Sequence, residues 1–245
     1  MMGWRIWVPS VAVGAAVFIF SEPRAPSMSI MAAVLSGAAL WGWYSFRRLR
    51  EVLSFLTVIG AFFAGVAFFG RLGGSAAVLP VLAAVSVGCL LAEGWATRKG
   101  LAYAPAGRAT IEAARLVAPV AFFLWAATLL GAGLGFLLSF PKGVAAMAVA
   151  SFFIVWPEVS RAKDVGTRRP LLAAAVVSLL VAQTFWVVSF WPIGGVGGGA
   201  VVAVVGTVLT ALSREQLGGR LSRGRLAFAL VLGSIFLALI IALSR

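Results

Sequence analysis

Nine long stretches of this chain are predominantly apolar: about 5–20, 28–46, 52–70, 75–96, 116–139, 143–157, 170–191, 198–213 and 226–244. A helix needs roughly 20 mostly apolar residues to cross the hydrocarbon layer of a bilayer. Within lipid only helices and closed barrels satisfy their own backbone groups. A barrel strand would read as an alternating segment of about ten residues, and these runs are continuous. Composition agrees, with 62% hydrophobic and 11% charged residues against about 45–50% and 25% in soluble domains. The expected fold is an all-α polytopic transmembrane bundle of about nine spans, a single integral membrane domain over 1–245.

The net charge of +13 would point to nucleic acid in a soluble protein. Here the bases sit between the apolar runs, and topology accounts for them without a nucleic-acid partner. One set of connections holds Arg47, Arg48 and Arg50; Arg98, Lys99, Arg108 and Arg115; Arg161, Lys163, Arg168 and Arg169; and Arg214, Arg220, Arg223 and Arg225. Arg5 joins them at the amino end. The other set holds only Arg24, Arg71, Lys142 and Arg245. Basic residues accumulate in cytoplasmic loops, so the amino end is expected inside and the carboxyl end outside. Lysine occurs only at 99, 142 and 163. That skew, with the Ala, Val and Gly richness, points to a GC-rich bacterial gene and a bacterial cytoplasmic membrane.

The sixth run is the shortest, and the eighth is as short as the first. Fifteen helical residues rise about 22 Å, less than a typical hydrocarbon core. The start resembles a signal peptide, but SEPRAPS follows with no small-x-small cleavage pattern, so it reads as an uncleaved first span. Trp156 and Trp191 fall near predicted span ends, where indole prefers to lie, while Trp125 and Trp186 fall deeper. The longest connection, Thr97–Arg115, breaks at Pro105 and Gly107, and its second part reads as a short surface helix.

Chemistry is constrained mainly by what is missing. With one cysteine (Cys89) and no histidine, an internal disulfide, a Cys/His metal site and a histidine base are excluded. All seven acidic residues lie at or beyond span ends. Ionisable groups at mid-bilayer usually mark proton or ion pathways, so a proton-coupled pump and an intramembrane carboxylate enzyme are disfavoured. No catalytic constellation, metal or cofactor is expected. Glu93 and Glu158 come nearest to the membrane. Each pairs with an interfacial arginine or belongs to a site facing the cytoplasm.

Glycine spacing adds packing faces. Gly131 and Gly135 lie four apart in the fifth span, Ala61 and Gly65 in the third, and Gly195, Gly199 and Ala203 lead into the eighth. Small residues at this spacing let helices approach closely in lipid. Gly194–Gly199 reads as a flexible outer turn after Pro192. In QTFWVVSFWPIGG (183–195), Gln183, Thr184 and Trp186 bring polar atoms into an apolar helix. Thr can bond back to its own helix. The glutamine amide cannot do so easily and is expected to face the bundle, as interhelical glue or as a contact for a polar ligand.

The second half resembles uncharacterised multi-pass membrane proteins of bacterial genomes. The likeness rests on Ser189-Phe190-Trp191-Pro192 closing a tryptophan-bearing helix, a hairpin span, the arginine-punctuated LGGRLSRGRL (Leu217–Leu226) and a last apolar helix. It implies the span layout and carries no activity. The function expected is a non-enzymatic membrane subunit, scaffold or assembly factor. Its partners would be membrane proteins and anionic lipids, the lipids held at Arg220, Arg223 and Arg225. The alternative is a small transporter or lipid-handling protein with an apolar cavity contacted by Gln183 and Thr184.

Overall fold

The computed structural model describes residues 49–71, 78–98, 105–134, 140–160 and 167–243. The first two expected spans, Gly135 and the carboxyl-terminal Arg245 lie outside the described residues. Every described element is a helix: α1 (Leu49–Arg71), α2 (Val78–Arg98), α3 (Pro105–Arg115), α4 (Val117–Leu134), α5 (Phe140–Val159), α6 (Arg168–Val188), α7 (Gly194–Leu217) and α8 (Arg223–Leu243). Five helical stretches are long and apolar enough to cross a membrane: Ala109–Gly131, Pro141–Val159, Arg168–Val188, Gly194–Leu217 and Arg223–Ala242. Shorter apolar segments occupy α1 (Val52–Gly65) and α2 (Leu82–Glu93). The fold is that of an all-helical, polytopic membrane protein.

The chain divides into two compact units, Met1–Ala118 and Pro119–Arg245. In the first, α1 packs on α2 and α2 on α3. Phe55, Ile59 and Phe62 of α1 are fully buried at helical spacing, with Ala83 and Val87 of α2. The short helix expected in the 97–115 connection is α3.

In the second unit, α4 to α8 run alternately up and down. Gly143 of α5 faces the Phe185 ring of α6, Gly198 of α7 meets Val188 of α6, and Gly233 of α8 meets Val208 of α7. The most extensive packing is between α5 and α6. Helix α6 buries Ala174, Val177, Ser178, Val181, Ala182, Phe185 and Val188. Their three- and four-residue spacing gives one inward stripe.

Two expected boundaries are corrected. The sixth run is a helix of 20 residues, not fifteen. Its first turn absorbs Pro141, which is tolerated there because it lacks only an N–H that has no helical partner. The glycines 194–199 form no loop: they open α7, and the turn occupies 189–193. Gly194 takes a left-handed φ of 67° at the start, a conformation open to glycine at no Cβ cost. Thus α7 has 24 residues, and the eighth run is amply long.

Helix α8 is the least covered element. Phe228, Val231, Ile235 and Leu239 all point outward, Phe228 with 68% of its surface exposed. In water an apolar face of this extent would be an aggregation site, whereas lipid tails solvate it.

Candidate interaction surface

Nearly all the described charge of the second unit gathers at one of its ends. The ion pair between Glu158 at the end of α5 and Arg214 near the end of α7, 3.8 Å apart, puts both carboxyl ends together. The short α7–α8 connection brings Arg220, Arg223 and Arg225 to the same end. The antiparallel α5–α6 pair adds Arg168 and Arg169. The opposite end carries only Lys142 among the described charged residues.

Glu158 lies in the last turn of α5, directly after the helical Pro157. Its side chain is 9% exposed and that of Arg214 28%. Burying a lone carboxylate is costly, and a facing guanidinium offsets that cost. Arg225 is pinned to Glu215 at 3.4 Å. The turn supporting these residues is a Schellman closure of α7. The Arg220 N–H donates to the Glu215 carbonyl at 2.9 Å and the Gly219 N–H to the Gln216 carbonyl at 3.1 Å. Gly219 takes the left-handed φ of 64° that this closure requires. Arg220 and Arg223 are exposed and, among the described residues, meet no carboxylate. Together with Arg168 and Arg169 they form a cationic rim able to take phosphate or carboxylate oxygens.

The polar residues of α6 separate into two groups. The hydroxyls are spent on their own helix: Ser178 donates to the Ala175 carbonyl at 2.8 Å, Thr184 to Leu180 at 2.9 Å and Ser189 to Trp186 at 2.6 Å. Gln183 instead lies on the exposed face with Trp186, and no hydrogen bond to it occurs among the described residues. This corrects the expectation that the amide faces the bundle. The inward stripe leaves residue 183 outside, because α6 sits at the edge of its packed neighbours.

The glycine face of α7 is also shifted from the expected one. A Cβ at Gly199 would stand 2.8 Å from the Ala127 Cβ of α4 and 3.0 Å from its backbone nitrogen. At Gly206 it would meet the Phe122 ring at 3.2 Å. The close-contact residues are therefore Gly198, Gly199 and Gly206, while Gly195 and Ala203 lie half-buried beside them. Gly131 is half-buried on α4. In the first unit Glu93 is buried on α2, and Ala61 and Gly65 are buried on α1.

Ser151, fully buried on α5, and Thr128 on α4 have hydroxyls that meet no partner among the described residues. Single serines and threonines in apolar runs gave no sequence signal that would select these two. Arg214 was legible only as one base of a basic connection, because its pairing with Glu158 depends on how α5 and α7 pack. Among the described residues no three His, Cys, Asp or Glu side chains gather as metal ligands would. The arrangement offers anion binding at one end and an outward helix face carrying one amide. No family model, curated protein or solved structure matches the chain.

Proposed function

We propose that this chain is a non-enzymatic integral membrane subunit or scaffold. In this reading it crosses a bacterial cytoplasmic membrane about nine times, with the amino end inside and the carboxyl end outside. The arginine-rich end of the second unit is the cytoplasmic one and holds anionic lipid headgroups. The exposed face of α6 receives a membrane-protein partner. The observation that carries the reading is the outward placement of Gln183 on a helix whose hydroxyls are satisfied internally. An amide facing hydrocarbon is costly, and a partner helix can satisfy it. The same placement supports the partner reading over a transporter whose cavity is lined by Gln183 and Thr184.

Native mass spectrometry of the protein, extracted gently from its own membrane, tests the proposal. A companion protein chain at fixed stoichiometry is expected, together with retained acidic lipid. A lone chain carrying one defined small metabolite would overturn the subunit reading.

A further inference from the structure

The outward face of α6 has a regular seam. Leu172, Val176, Leu179, Gln183 and Trp186 follow one another at alternating four- and three-residue steps, and Phe190 continues the spacing in the turn just past the helix. All six are exposed, Phe190 at 73%. This is the a/d spacing that brings two helices together side by side at a shallow left-handed angle. Four of the six positions are wholly apolar and Trp186 has an interaction of its own, so none of these five calls for a polar partner. The sixth, Gln183, lipid cannot satisfy. It lies about 7–8 Å of helical rise inside the Val188 end of the span Arg168–Val188, within the hydrocarbon layer.

We infer that the partner on this face is a second copy of the chain, with the two Gln183 amides hydrogen-bonded to each other across a two-fold axis. The inference rests on the membrane reading given above and names the partner that reading leaves open. A carboxamide carries both donor and acceptor, so a pair of glutamines is self-complementary. All copies in one membrane share one topology, so a closed two-fold dimer has its axis along the membrane normal. Its two α6 helices then run parallel, and residues of the same number meet at the same depth. Gln183 thus finds its complement without any further match in sequence. A different protein would need its own donor and acceptor at this depth on an equally apolar face. A single polar residue in an apolar seam also fixes register, as a lone asparagine does in coiled coils.

The test uses the full chain. In a Cys89→Ser background, which removes the sole cysteine, Leu179→Cys is oxidised in native membranes beside Val177→Cys, whose position is buried on the opposite side of α6. Leu179→Cys should give a covalent dimer of the chain and Val177→Cys none. In liposomes, single-molecule photobleaching over a range of protein-to-lipid ratios should show Gln183→Leu weakening the dimer about three- to eightfold, the effect of one or two interhelical membrane hydrogen bonds. Gln183→Asn should retain part of the affinity. Since residue 183 is exposed, these variants fold independently of their association. Equal dimerisation of Gln183→Leu and the parent would overturn the proposal. So would a Leu179→Cys cross-link to a different protein, although the partner reading would then survive. A chain monomeric at every density and without a companion would overturn both.

Discussion

Gly199 stands where two helix backbones meet. The nearest atoms to an added Cβ belong to the Ala127 main chain, which cannot rotate aside as a side-chain tip can. Gly199→Ala should therefore force α4 and α7 apart and cost about 1–3 kcal/mol, the range for overpacking. Gly143 is the internal control. Its added Cβ would sit 3.7 Å from the Phe185 ring, an ordinary contact, and alanine gains up to about 1 kcal/mol of helix propensity over glycine. A thermal melt in one detergent should move down for Gly199→Ala and stay level or rise for Gly143→Ala. Gly219→Ala should cost about 1–2 kcal/mol, because its left-handed backbone disfavours a Cβ. Sequence spacing pointed to Gly199 as a packing residue. It could not separate Gly199 from Gly195, because the face that α7 turns toward α4 is fixed only when the helices dock.

Between elements, the Glu158–Arg214 pair ties the end of α5 to the end of α7. Double-mutant cycles on contacting pairs measure couplings of about 0.5–3 kcal/mol, and the part-exposed guanidinium places this one in the lower half. Arg214→Gln should lower denaturation stability in detergent by about 1–2 kcal/mol. Adding Glu158→Gln should restore part of that loss, and strictly additive losses would show that the pair is uncoupled. The spans α6 and α8 were legible almost to their ends, since hydrophobicity and flanking arginines mark them directly. The spans α5 and α7 were underestimated, because Phe140-Pro141-Lys142 and the glycine string carry loop composition. In the folded chain the proline enters a first turn, and Gly198 and Gly199 serve close helix contact. Local composition reports how a segment would behave alone, whereas packing decides which of its properties is used.

Across the described residues of the second unit, Arg168, Arg169, Arg214, Arg220, Arg223 and Arg225 gather at one end and Lys142 lies at the other. The cationic rim should bind anionic headgroups at about 1 kcal/mol per arginine near the surface. Replacing Arg220, Arg223 and Arg225 together by glutamine should sharply reduce co-purifying acidic lipid, read by quantitative lipid analysis. Unchanged retention would place lipid binding elsewhere. The membrane class and the charged ends were readable because long apolar runs and arginine counts survive without three-dimensional information. The outward turn of Gln183 was not, because which half of α6 is inside depends on α5 and α7 lying on one side of it.

Helix α8 meets its own unit mainly along α7, with Gly233 its one buried position among the described residues. Its anchorage is therefore a property of the solvent more than of the protein. At 21 residues it matches a hydrocarbon layer of about 30 Å. A thinner bilayer would change its tilt while the glycine-locked α4–α7 contact stayed fixed. Stripping lipid away does to α8 what urea does to a water-soluble core. In detergent its amides should exchange hydrogen well before those of α5 and α6, and protease should cut first at the Leu221-Ser222 link.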